Sequence, residues 1–324
     1  MISDNSLAAS RRLLPPMLRV NLRDAGTLFG LIAIAVIFSI LTPSFLSAHN
    51  LVNILQQSSI NACVAIGMTL VIISGGIDLS VGPTAALSAV ITATMLASGV
   101  ASPLAFAAGL LIGMVCGAAN GLLISLAGLQ PFIVTLGTLS LYRALALIFT
   151  GGNPVLGLPG GFRALFTAQL GPLPMPVVIV GLLALLFWFI LRKTPLGEYI
   201  LAVGGNEEAA RIAGVPIVLT KVVTYMISGS LAFVAGMILI GRLGAAEPIL
   251  GNLWELDAIA AAAIGGASLM GGKGSIVGTL FGALVLGAMR DGLTLLDVQA
   301  FYQLLATGII IIAAMLVDRF TRGG

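Results

Sequence analysis

The chain has 324 residues, 59% of them hydrophobic and only 8% charged, with a net charge of +3 and a mean hydropathy of +1.13. So few charges cannot solvate the surface of a soluble domain of this length, and the composition is that of a polytopic membrane protein. Continuously apolar runs exclude a β-barrel, whose spans alternate polar and apolar residues. The basic excess reads as loop orientation and not as nucleic-acid binding.

Residues 1–24 form a polar tail with Arg11, Arg12, Arg19 and Arg23 ahead of an apolar run from about Ala25 to Leu41. That run meets Thr42-Pro43-Ser44 and no small-residue cleavage site, which predicts an uncleaved first span. Further spans are expected at about 51–74, 82–99, 103–127, 131–150, 175–191, 220–241, 254–270, 275–295 and 299–317. The fold expected is all-α, a transmembrane domain over 25–318 with about ten helices and a short tail at 319–324. With the amino end inside, 11 of the 15 basic residues fall at cytoplasmic positions, and only Arg163 and Arg242 fall in outer loops. The positive-inside rule therefore predicts both termini in the cytoplasm, 192–219 as a cytoplasmic loop and 151–174 as an outer loop. Arg290 falls near the outer end of the ninth span, and Arg143, inside the fifth, is expected to face protein because a lipid-facing charge is costly.

Within 151–174, Phe162, Leu165 and Phe166 are spaced as an amphipathic turn, so a short helix at the outer membrane interface is expected. It would either anchor to lipid there or lie under a soluble partner. The segment Arg192–Lys221 is the longest internal stretch unfit for a bilayer. Asn206 is suited to cap a helix there, with Glu207 and Glu208 in its first turn at the positive end of the dipole. Gly214 suits the left-handed stop and Pro216 bars continuation. Ala209, Ala210 and Ala213 keep the helix slim, and its expected length is about two turns, roughly 12 Å. The residues alone leave two readings open, an ordinary capped connector or a peg for a cytoplasmic partner.

Two stretches echo each other: IGMTLVIISGGIDLSVG from Ile66 and IGGASLMGGKGSIVG from Ile264 each join two spans through a Gly-Gly turn. The second is not a phosphate-binding loop. The glycine required five residues before the Gly-Lys pair is Ala267, and Gly274 stands where Ser or Thr must follow the lysine. No ATPase site, catalytic constellation or cofactor motif is expected. Cys63 and Cys116 read as small buried residues, and they form no metal set with the lone His49. Asp78 is expected to end the second span near the cytoplasmic face, and Glu255 and Asp257 to begin the eighth near the outer face. Asn61, Asn120, Thr135, Tyr225 and Ser228 are polar positions inside spans, serving either as interhelical hydrogen-bonders or as pathway residues.

Four stretches carry a resemblance: GMTLVIISGGIDLSVGP at 67–83, QPFIVTLGTLSLYRALAL at 130–147, AVGGNEEAARIAGV at 202–215 and LDAIAAAAIGGASLMGGKGSIVGTLFGALVLG at 256–287. In their order and extent they resemble the permease subunits of bacterial ABC importers of the ribose type. The resemblance implies a multi-pass inner-membrane subunit moving a small sugar or polyol from periplasm to cytoplasm, which makes 151–174 a periplasmic loop. It implies pairing with a second permease copy or homologue, a cytoplasmic ATPase subunit often carrying two fused ATPase domains, and a periplasmic sugar-binding protein. It also implies that the short helix is the coupling helix, carried over to Glu208, Ala209, Ala210 and Gly214, with Asn206, Glu207 and Arg211 beside them. Glu207 is an addition in front of the family pattern. The alternative is an ATP-independent secondary transporter or facilitator of a small polar solute. A third reading is a membrane scaffold that transports nothing.

Overall fold

The computed structural model describes residues 22–322. Most of the expected amino-terminal tail and the last two residues therefore lie outside the described residues. The fold is all-α. In chain order the helices are α1 (Leu22–Leu41), α2 (Ala48–Ile73), α3 (Val81–Ala97), α4 (Ser102–Ser125), α5 (Pro131–Thr150), α6 (Gly160–Thr167), α7 (Met175–Lys193), α8 (Pro195–Gly205), α9 (Glu207–Ile212), α10 (Ile217–Leu243), α11 (Trp254–Ile264), α12 (Ile276–Leu295) and α13 (Ala300–Arg322). Between α6 and α7, β1 (Gln169–Leu170) and β2 (Leu173–Pro174) pair antiparallel, with Gln169 opposite Pro174.

Among the described residues six helices, α2, α4, α5, α7, α10 and α12, are long and apolar enough to cross a membrane. They coincide with the second, fourth, fifth, sixth, seventh and ninth expected spans. The expected eighth span, 254–270, is not one helix. α11 has 11 residues, about 16 Å at 1.5 Å per residue, and the chain then leaves helical geometry until Ile276. Glycine causes the break: Gly266 (φ +83°) stops α11, and Gly271 and Gly272 (φ +85° and +74°) turn the chain again. Hydropathy cannot register this, because Gly and Ala count as apolar whether or not they continue a helix. The third span is also short, a 17-residue helix.

α2 is the axis of the bundle, buried almost continuously from Ser58 to Ile73, with α10, α11, α12 and α7 packed around it. α10 lies between α2 and α4. Its seam with α4 is built on Gly109, Gly113, Gly117 and Gly121, four glycines at a spacing of four on one helix face. A methyl at Gly113 would meet the Gly229 carbonyl oxygen at 2.6 Å, and one at Gly121 would meet the Val222 Cα at 2.6 Å. The backbones are thus in direct contact, the arrangement that lets helices associate in lipid by dispersion where no hydrophobic drive exists.

α6 rests on the bundle. Phe162 and Phe166 are buried, their rings 5.7 and 6.2 Å from that of Phe106 on α4. Phe106 in turn meets Phe233 of α10 edge-on at 5.9 Å. Two of the three apolar residues in the expected amphipathic turn therefore face protein, and only Leu165 is exposed. Two arginines inside the helices are paired or capped. The Arg290 guanidinium donates to both Asp257 oxygens at 2.7 and 2.5 Å. Arg143 turns inward and donates to the carbonyls of Pro248 and Leu250 at 2.7 and 2.8 Å.

Candidate functional site

The segment after α7 folds as two short helices in series. Pro195 opens α8, whose first-turn position needs no N–H, and Asn206 lies between α8 and α9 in extended geometry (φ −161°). The Asn206 Oδ1 accepts from the Ala209 N–H at 2.9 Å, capping one orphan donor of α9. At the other end Gly214 has φ +83°, and its N–H donates to Arg211 O while that of Val215 donates to Ala210 O, both at 3.0 Å. This 5→2 and 6→1 pair is the Schellman stop that glycine favours. Its accompanying hydrophobic contact is present, with Ala210 buried against Val203 and Ile217 and Val215 packed beside them. α9 has six residues, about 9 Å, somewhat shorter than the two turns expected. α8 has no forewarning in the sequence beyond Pro195, because it lies in a stretch that Arg192, Lys193 and Glu198 mark as a loop outside the bilayer.

Glu208, Ala209, Arg211, Ile212 and Gly214 are exposed on this peg, whereas Ala210 is buried beneath it. Ile212 is 82% exposed, an apolar side chain that nothing in the composition of the segment singles out. The Arg211 pairs with Glu207 (3.3 Å) and Glu208 (3.6 Å) lie in solvent and contribute little. A third pair is different. Lys221, the fifth residue of α10 and only 15% exposed, donates to Glu207 Oε2 at 2.6 Å. Glu207 thus ties the peg to a long membrane helix.

A second feature lies where α2 gives way to α3. α2 ends as α9 does, on a glycine with positive φ: Gly75 (+84°) donates to Ile72 O, and Gly76 donates to Val71 O. The chain then runs unwound through the protein interior. Asp78 is 1% exposed. One of its oxygens accepts from the Ser80 N–H (3.0 Å) and hydroxyl (2.7 Å), the other from the Ser228 hydroxyl (2.8 Å). Asn120 donates to Ser80 Oγ at 2.8 Å. The Ile77 carbonyl accepts from the hydroxyls of Thr135 (3.1 Å) and Tyr225 (3.4 Å). A buried carboxylate is tolerated only when its lone pairs are taken up, and here neutral donors from the segment itself and α10 do so.

Four of the five polar positions expected along a pathway, Asn120, Thr135, Tyr225 and Ser228, therefore converge from α4, α5 and α10 on residues 77–80. Asn61 does not join them, standing half-buried on α2, about 18 Å of helix before its end. The placement of Asp78 is corrected. It does not end a span near one face but meets Ser228, which lies about 16 Å along α10 from Ile217. The misplacement has a physical cause, since an unwound stretch between two apolar runs resembles a surface turn in hydropathy even when it lies inside the protein. Asn120 Oδ1 is left without a hydrogen-bond partner among the described residues. Below the cluster a cleft of about 80 Å³ is lined by Gly75, Gly76, Glu207, Lys221 and Tyr225 among others, joining the two features.

The echoing stretches also find their places. α11 ends like α2, with Gly266 donating to Ala263 O and Ala267 to Ala262 O. The equivalent of Gly75 is thus Gly266. Gly271-Gly272 serves another purpose: the Gly272 N–H donates to Ile73 O at 2.8 Å, and a methyl on Gly272 would stand 2.9 Å from Gly205 Cα. The 265–275 loop is therefore seated on the ends of α2 and α8. Among the described residues no group of histidine, cysteine and acidic side chains could hold a metal.

Broken helices around a buried polar cluster inside an apolar bundle define the chain as a multi-pass membrane permease. Residues 50–315 match the model of the branched-chain amino acid transport system / permease component family, and the chain belongs to that family. It is 46% identical to the ribose import permease protein of Bacillus subtilis over 92% of this chain and 93% of that one. To the Escherichia coli K12 ribose import permease it is 43% identical (92% and 94%), and to the D-allose transport system permease of the same organism 41% (91% of each). No solved structure matches. The chain is a permease subunit of the sugar ABC importer type, a transport component of the bacterial inner membrane and not an enzyme.

Proposed function

We propose that the chain carries a small sugar or polyol from periplasm to cytoplasm, paired with a second copy or a homologue and powered by a separate ATPase subunit. A periplasmic sugar-binding protein delivers the cargo. The chain crosses the membrane about ten times with both termini inside, and the ATPase subunit grips the exposed face of α9, at Asn206, Glu208, Ala209, Arg211, Ile212 and Gly214. The observation that carries this reading is a short helix, capped at both ends and exposed between two long spans, in a chain of the sugar-permease type. Closure of the ATPase domains would move α9 and switch access to the polar cluster around Asp78, where Asn120, Thr135, Tyr225 and Ser228 line the route. That cluster is made of hydroxyl, amide and carboxylate groups, the chemistry that exchanges hydrogen bonds with a polyol.

The buried carboxylate of Asp78 also favours a second reading, an ion-coupled carrier working without ATP, since such carriers place ionisable groups inside the membrane. Both are decided in vesicles holding the permease, its ATPase subunit and the binding protein. ATP-driven uptake that disappears with an ATPase-dead partner is expected, and persistence of uptake would favour the carrier. The peg is tested by Gly214→Val, which forces a β-branched residue into the left-handed region at a cost of roughly 1–2 kcal/mol, and by Glu208→Lys, which puts a cation at the positive helix end, a change of only about 0.3–1 kcal/mol. Both variants should insert normally yet lose ATPase binding, or lose the response of hydrolysis to the loaded binding protein. Wild-type transport by both would leave α9 a plain connector.

A further inference from the structure

Lys221, Tyr225 and Ser228 stand at i, i+4 and i+7 on α10, one face of one helix. Each grips a different part of the chain. Lys221 holds Glu207 on the peg at 2.6 Å, Tyr225 holds the Ile77 carbonyl at 3.4 Å, and Ser228 holds Asp78 at 2.8 Å. Lys221 and Tyr225 also line the cleft between the peg and the unwound segment, with Gly75 and Gly76 on its other side. Apart from this pair and its backbone links to α8 at Asn206 and to α10 through residues 213–216, the peg packs on the bundle through small apolar contacts at Ala210, which slide easily because dispersion is non-directional. The remaining ion pairs of α9 are internal to it.

We infer that Lys221 is a positioning residue for transport: its pair with Glu207 makes the polar face of α10 a strut that passes displacement of the peg to the 77–80 segment. The inference rests on the reading of α9 as the element that the ATPase subunit moves. A long helix is stiff along its axis, and the segment at the far end of the strut is bound through directional hydrogen bonds at Ile77 and Asp78. The extra acidic residue ahead of the family's coupling pattern thereby has a partner. Glu207 is half-buried facing Lys221, whereas Glu208 points to solvent.

Charge exchange tests this in vesicles containing the permease, ATPase subunit and sugar-binding protein, with D-ribose as the probe cargo and, should it not be carried, D-allose or galactose. The wild-type arm must show ATP-driven uptake; its failure with all three sugars would count against the proposed function. Lys221→Glu sets two carboxylates against each other and should lower uptake and binding-protein-stimulated hydrolysis at least tenfold while the complex still co-purifies. Glu207→Lys alone should do the same, and the double exchange should return both rates to within about threefold of wild type. A residue acting only through stability would not be rescued by moving its charge to the partner. Lys221→Met keeps the aliphatic stem and serves should Lys221→Glu fail to insert; it should lower stimulated hydrolysis severalfold. Wild-type coupling in Lys221→Glu or in Lys221→Met, or a double exchange no better than Glu207→Lys alone, would overturn the strut and leave the docking role of α9 standing.

Discussion

At the scale of single residues, Asp78 concentrates the most cost. Its three donors include one that cannot rotate away, the Ser80 backbone N–H. Asp78→Ala should therefore strand that donor and leave two hydroxyls to find new partners, a loss of about 1–3 kcal/mol for each buried group left unsatisfied. Asp78→Asn keeps the shape and one acceptor oxygen and should insert normally, with slower uptake because the acceptor set for a polyol is reduced. Denaturant unfolding in detergent beside vesicle uptake separates the two: equal instability of both variants would make the carboxylate structural alone. The polar partners of Asp78 were legible in the sequence because Asn120, Thr135, Tyr225 and Ser228 interrupt apolar runs. Nothing in the sequence marks Asp78 and Ser80 as their meeting point, since pairing among distant helices is set by tertiary packing and leaves no local pattern. The pairing of Lys221 with Glu207, 14 residues apart, leaves no local pattern for the same reason.

Among the elements, α9 and α11 mark the two limits of what sequence reveals. The ends of α9 are written locally, an Asn before two glutamates and a Gly before Val-Pro, and the cap and stop fall at Asn206 and Gly214. The end of α11 is written just as locally, in Gly265-Gly266, but a hydropathy window averages it away. α4 is the intermediate case. Its glycines are plain in the sequence, yet only the packed pair assigns them to one seam with α10. Gly117→Val would drive a side chain into the Tyr225 carbonyl, and overpacking of this kind typically costs about 1–3 kcal/mol. It should reduce the yield of monodisperse protein sharply. Gly137→Val on α5 and Gly181→Val on α7, where nothing lies within 4 Å of the added carbon, should be tolerated. Size-exclusion profiles of the three variants check this, and a tolerated Gly117→Val would mean that the seam opens freely.

For the molecule as a whole, the two ends of the bundle can be told apart by contacts alone. The 265–275 loop, with exposed Lys273, is seated through Gly271 and Gly272 on Gly204-Gly205 and Ile73 O, at the end that carries α8, α9 and the first turn of α10. α6 packs at the opposite end, with Phe166 against Gly241 in the last turn of α10. α10 has 27 residues, about 40 Å at 1.5 Å per residue, more than the hydrocarbon thickness of roughly 30 Å. With α10 spanning the bilayer, Lys273 and Thr167 are predicted to face opposite sides of the membrane, and the distribution of lysine and arginine predicts that Lys273 is inside. Cysteines placed singly at these two exposed positions report the sides directly once the native thiols are removed. Cys63 and Cys116 are both buried, and alanine at each keeps the packing nearly intact. In intact cells, with the outer membrane permeabilised, an impermeant maleimide should label Thr167→Cys and spare Lys273→Cys until the inner membrane is broken. Labelling of Lys273→Cys from outside would invert the chain, place α9 beyond the reach of any cytoplasmic ATPase, and remove the physical basis for coupling through it.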